Sequence, residues 1–165
     1  MSERWRVQDE GAFINGDEAV RRVVEGLEAG THETWFDSES GRLVCIVSNG
    51  PRALLMLLDH DGDAGQHLSD PLGGDEPVAG FVLANGQVDQ YAGRDTVALD
   101  SALDVLRALI DGREVRAEHR WTIGDVRARA MTRLHHAHRR QRAQSSAHRR
   151  TTHADLCRQF AFGGQ

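Results

Sequence analysis

The sequence contains no lysine: all 20 of its basic residues are arginine. That absence reads as the coding bias of a GC-rich genome rather than as selection for guanidinium chemistry. Aromatic residues are scarce (five Phe, three Trp, one Tyr), which argues against a surface that stacks nucleic-acid bases. No stretch approaches the roughly 20 consecutive apolar residues that a membrane-spanning helix needs. Met1 to Glu10 holds charges and one Trp without an apolar core, so it does not read as a secretory signal, and a cytoplasmic protein is expected. The two cysteines, Cys45 in an apolar run and Cys157 in a polar one, make neither a disulfide framework nor a Cys-x-x-Cys metal pair. At 165 residues, the chain has room for one domain with a substantial core.

Charge is distributed unevenly. Residues 1–123 carry 11 Arg against 23 Asp and Glu, a balance of −12, while residues 124–165 carry 9 Arg against 2 acids, a balance of +7. The second segment also holds five of the nine histidines. The chain therefore divides into an acidic domain, 1–123, and a basic Arg/His-rich tail, 124–165, and partners of the two pieces should differ in sign.

Apolar spacing predicts a helix over 16–30, with Ala19, Val20, Val23, Val24 and Leu27 on one face, Asp17 as cap and Gly30 as stop. Glu33 to Ser38, Leu43 to Ser48 and Ala53 to Leu58 read as three strands of a meander, with turns at Ser40-Gly41 and Asn49-Gly50. Asp59 to Pro77 reads as one long polar loop. Val78 to Ala84 and Gln87 to Ala92 form a hairpin across Asn85-Gly86, a pair that favours positive φ at both positions. Leu99 to Asp111 is a second helix, with Leu99, Ala102, Leu103, Leu106, Leu109 and Ile110 as its stripe and Gly112 as its terminating glycine. A last strand runs from about Glu118 to Ile123. Helices do not alternate with strands, so the expected class is α+β, with a mainly antiparallel sheet of about five to six strands and two helices. The tail is expected to be partly helical, over Arg127 to Gln144, and otherwise disordered, since it is too poor in apolar residues to form its own core.

Each candidate chemistry has a plainer rival. Asp59-His60-Asp61-Gly62-Asp63 starts like a calcium loop, but Ala64 and Asp70 stand where Gly and Glu belong, so an acidic turn is expected and no metal. His135, His136 and His138 have helical spacing suited to zinc, but nothing to fix them; solvated surface is expected. There is no Gly-x-Ser-x-Gly elbow and no Cys beside a His, and Cys45 in a buried strand would be an inert thiol. Gly73-Gly74 precedes acids that would repel a phosphate. Neither an enzyme nor a cofactor is expected. Arg139, Arg140, Arg142, Arg149 and Arg150 form a basic patch able to contact phosphate backbones, which leaves a nucleic-acid-associated protein as the alternative class.

The order of Ser48-Asn49-Gly50-Pro51, Leu57-Leu58-Asp59-His60-Asp61-Gly62, Asp89-Gln90-Tyr91-Ala92-Gly93, and a helix ending in Gly112-Arg113 before a short strand with Trp121 resembles the first-numbered family of bacterial polymorphic-toxin immunity proteins. The resemblance spans about half the chain, from Trp35 to Trp121. It implies a cytoplasmic, non-catalytic antitoxin that binds a cognate toxin one-to-one, often a nuclease or nucleic-acid deaminase, with no cofactor. Charge supports the same role, because toxins acting on nucleic acid need basic channels. The expected contacts are Asp59, Asp61, Asp63, Asp70, Asp75 and Glu76 in the acidic loop, with Asp89 and Tyr91 beside it.

Both helices and every strand of this reading precede Gly124. Removing residues 125–165 is therefore expected to leave the melting temperature within about 4 °C of the full chain, less than a 1 kcal/mol change would produce in a domain of this size. Differential scanning calorimetry of both proteins checks it.

Overall fold

The computed structural model describes residues 3–115 and 120–123. His135, His136 and His138, the Arg139–Arg150 patch and the expected tail helix lie outside the described residues. In chain order the elements are β1 (Trp5–Val7), α1 (Gly16–Glu28), β2 (Glu33–Ser38), β3 (Leu43–Ser48), β4 (Arg52–Leu58), β5 (Gln66–Ser69), β6 (Pro77–Val82), β7 (Val88–Ala92), a 3₁₀ turn (Gly93–Asp95), β8 (Val97–Ala98), α2 (Leu99–Ile110) and β9 (Arg120–Ile123).

Strands β3 and β4 are apolar at nearly every position, which is the pattern of strands covered on both faces. Three layers result. On one side Val44, Ile46, Ala53, Leu55 and Leu57 pack against Ala19 and Val23 of α1 and Ala102, Val105, Leu106 and Ile110 of α2. On the other side Leu43, Cys45, Val47, Leu54, Met56 and Leu58 pack with Trp35 against Phe81, Leu83 and Tyr91 from the β6–β7 hairpin. Among the described residues, seven strands form one antiparallel sheet, ordered β1-β2-β3-β4-β5-β9 with β8 beside the first residues of β4, and β6–β7 form a separate two-stranded layer. The class is α+β as expected, with the β2–β3–β4 meander in place.

Four expectations need correction. Asn15, not Asp17, caps α1: its side chain accepts the Glu18 N–H at 2.9 Å, and Asp17 instead pairs with Arg107 at 2.8 Å. The β6–β7 connection is a three-residue loop closed by Gly86 N–H to the Leu83 carbonyl and Leu83 N–H to the Gln87 carbonyl, both 2.8 Å. Only Gly86 is left-handed (φ +82°), as suits a loop that ends on a single αL residue. The hairpin stands apart from the main sheet because its inner face is needed to cover β3 and β4. Finally, the supposed loop from Asp59 to Pro77 is interrupted by β5, which pairs with both β4 and β9. With one apolar side chain in four residues, β5 has no alternation to betray it.

The hairpin layer is anchored through Glu33, a buried carboxylate at the start of β2. Its oxygens accept the Trp35 indole N–H at 2.5 Å and the Ala84 backbone N–H at 2.6 Å. Asn49 adds a side-chain bond to the Ala79 carbonyl at 2.9 Å. Bonds to a buried charged acceptor contribute about 1.5–3 kcal/mol each, and a donor left without a partner costs a similar amount. Glu33→Ala is therefore expected to lower unfolding free energy by about 3 kcal/mol or more in urea titration, with Glu33→Gln falling between it and the native protein.

Candidate partner-binding surface

The acidic residues expected to share one loop are divided between the two ends of β5, roughly 10 Å apart at the usual rise per strand residue. At the first end, the turn from Asp59 to Gly65 leads out of β4. Asp63 turns inward: its carboxylate accepts the Asp59 N–H at 3.0 Å, and its own N–H reaches the His60 carbonyl at 3.1 Å. Asp59 and Asp61 are exposed, and the Asp59 carboxylate stands 3.6 Å from Arg42. Asp63 thus holds the turn that displays the other two.

At the second end, the segment from Asp70 to Glu76 is bonded to the 3₁₀ turn. Asp70 N–H donates to the Arg94 carbonyl (2.8 Å), Arg94 N–H to the Gly74 carbonyl (2.8 Å), and Gly93 N–H to the Glu76 carbonyl (2.9 Å). The backbones of Gly73 and Gly93 meet so closely that a Cβ on Gly73 would lie 2.5 Å from the Gly93 carbonyl oxygen. Arg52 organises the other side of this joint. Its Nε donates to Thr96 Oγ1 at 2.8 Å, and its Nη2 reaches the carbonyls of Gly93 (3.0 Å) and Thr96 (2.5 Å) and the carboxylate of Asp70 (3.2 Å). Asp70 also accepts the Leu72 N–H at 3.0 Å. Behind the joint, buried His67 and Asp95 stand 3.5 Å apart. Asp75 pairs with Arg94 at the surface, and Glu76 is exposed. Of the expected contacts, Asp59, Asp61, Asp75 and Glu76 present carboxylates outward, whereas Asp63 and Asp70 hold their own turns.

Asp89 and Tyr91 correct the sequence reading. Both are buried, at 7% and 4% exposure, and face the sheet. Asp89 accepts a bond from Gln87 Nε2 at 2.6 Å and lies 3.4 Å from the Tyr91 hydroxyl, while the Tyr91 ring meets Phe81 edge-on with centroids 4.9 Å apart. Burial, and then the negative charge of Asp89, push the Tyr91 phenol far above its ordinary value. Alternation along β7 carried the signal: a large aromatic at 91 claims the inner face, and Asp89, two residues away, must share it.

The residues missed by sequence reading are those of the joint: Arg52, Gly73, Gly93, Arg94, Asp95 and Thr96. Cys45 is fully buried, and desolvation followed by the charge of Glu33 pushes its thiol well above its ordinary value. It is an inert core residue. Among the described residues, no three His, Cys, Asp or Glu side chains gather as metal ligands. No helix among them is long and apolar enough to cross a membrane. No protein-family model, curated protein or solved structure matches the chain.

The Asp63 carboxyl lies below its ordinary value of 3.8, chiefly because it accepts the Asp59 backbone N–H; desolvation opposes this, and the N–H of Gly65, the charge of His60 and the N–H of Ala64 add smaller help. A carboxyl depressed in the folded state stabilises the fold above its unfolded value, and that contribution disappears as pH falls through the folded one. Asp63→Asn is therefore expected to be less stable than the native protein at pH 7. The two should converge as pH falls below about 4 and through the lower folded value, since both side chains are then uncharged. Denaturant titration across this range measures the convergence.

Proposed function

We propose that this chain is a non-catalytic binding protein of the immunity class, which neutralises a bacterial toxin domain acting on nucleic acid by blocking its active site or basic substrate channel. The observation that carries the reading is the segment from Asp70 to Glu76, an exposed acidic segment held by backbone bonds to a half-buried polar joint. Carboxylates presented in fixed positions suit the Arg and Lys side chains that otherwise bind phosphates. The −12 balance of residues 1–123 adds a long-range field that speeds encounter with a cationic partner. The order of motifs from Trp35 to Trp121 points the same way.

Co-expression with the product of the adjacent gene tests the proposal. A stoichiometric complex, together with survival of cells that otherwise die on expressing that product, is the expected result. Recovery of nucleic acid alone, lost at high salt, would instead favour binding through Arg139, Arg140, Arg142, Arg149 and Arg150. The exposed carboxylates can be examined separately from the structural ones. Reversing Asp61, Asp75 and Glu76 together to Arg is expected to shift stability by less than about 1 kcal/mol. It should slow association at least roughly tenfold in low salt, with the difference shrinking as salt is raised. Stopped-flow binding at two ionic strengths reads this directly.

A further inference from the structure

We propose that Leu72 is the apolar anchor of the partner interface, and that the partner surface it fits is a pocket of one aliphatic side chain rimmed by Arg or Lys. The inference rests on the binding-protein reading above and adds the residue on which the lifetime of the complex depends. Leu72 is 95% exposed, the most exposed large apolar side chain among the described residues. Isolated surface leucines are ordinary, so exposure alone decides nothing. Three features set this one apart.

The first is that almost nothing among the described residues shelters it. The other exposed large apolar side chains keep some cover: Val88 is 63% exposed, Val24 38%, and Phe13, at 43%, lies under the Arg4 guanidinium 4.2 Å from its ring centre. The second is rigidity. Leu72 N–H is bonded to Asp70, the next residue is in backbone contact with Gly93, and the segment is fastened at Asp70, Gly74 and Glu76. A loose loop would let Leu72 fold back onto the protein, whereas this one holds it in water. An anchor ordered before binding avoids much of the entropy cost of being ordered on binding. The third is the surrounding charge. Asp75 and Glu76 follow Leu72 within four residues, Asp75 pairing with Arg94, while Asp70 on the other side is paired with Arg52, so the segment's acids outnumber its cations by one. An apolar centre with a charged rim is the anatomy of a protein interface. Its sign selects a cationic partner and opposes a second copy of the same acidic chain.

The test uses the full-length chain with the adjacent gene product as probe, following association and dissociation by surface plasmon resonance at two salt concentrations. Leu72→Ala and Leu72→Asp should raise the dissociation rate roughly 10- to 100-fold, as expected for withdrawing one leucine from a pocket. Association rate and its salt dependence should stay within about twofold for Leu72→Ala, because steering depends on charge. Leu72→Met should restore most of the lifetime, and melting temperatures should not move, since the side chain is 95% exposed. If the native chain binds the probe and Leu72→Asp dissociates no faster, Leu72 is not the anchor, although the immunity reading stands. If the native chain does not bind the probe, both proposals fall. Sedimentation supplies the remaining outcome: a concentration-dependent dimer abolished by Leu72→Asp would assign the side chain to self-association and overturn the proposal.

Discussion

The architecture depends on one constraint: β3 and β4 carry apolar side chains on both faces, so the sheet must be covered twice. Helices α1 and α2 cover one face, and they are joined to each other where the Gly16 N–H meets the Asp111 carboxylate at 2.6 Å. Among the described residues the helices cover only that face, and the β6–β7 hairpin packs on the other with Phe81, Leu83 and Tyr91. A two-stranded ribbon is marginal by itself and holds here because it shares a core with the sheet. Its attachment brings Asp89 and Glu33 into an otherwise apolar layer, where each is satisfied by nearby donors. Burial of these carboxylates follows from covering the sheet with a short hairpin.

The same arrangement explains why the acidic surface is rigid. Once β7 lies across the sheet, the chain must return to β4 to form β8, and the 3₁₀ turn at Gly93–Asp95 makes that passage. The Gly93 carbonyl takes the Thr96 N–H and hydroxyl, and the joint is completed from outside the turn. Arg52, at the first position of β4, adds donors to the Gly93 and Thr96 carbonyls, and Asp70 N–H donates to the Arg94 carbonyl. A guanidinium suits this task because its planar fork presents several N–H groups in fixed directions. Display of acidic side chains at the surface thus depends on a cation held underneath them.

Much of the fold was legible in the sequence. The runs at Leu43–Val47 and Ala53–Leu58, the stripe from Leu99 to Ile110 and the glycines at 30 and 112 each mark an element through side-chain pattern. What escaped notice is short or is held by backbone. Strand β1 has three residues, fixed by burial of Trp5 and by Arg6 donating twice to Asp37; β8 has two; β5 has four, only one of them apolar. For the surface, composition disclosed the sign of the charge but not its placement. Asp61 and Asp75 look equivalent in a linear reading, yet they lie at opposite ends of β5. The Gly73–Gly93 contact that fixes the second turn involves no side chain, so no residue pattern could announce it.

The pairing of β5 with β9 has a consequence for synthesis in the cell. Ser69 bonds to the carbonyl of Arg120, 51 residues further along the chain. At about 5–20 residues per second, a ribosome needs roughly 3–10 seconds to make that intervening length. Throughout that interval the outer edge of β5 is an open row of backbone donors and acceptors, a template for pairing with other nascent chains. Gln66, His67 and Ser69 make the strand a poor candidate for such association, since exposed edges aggregate when they are long, flat and apolar. The weak strand character that hid β5 in the sequence is thus also what lets the last partner of the sheet arrive late without harm.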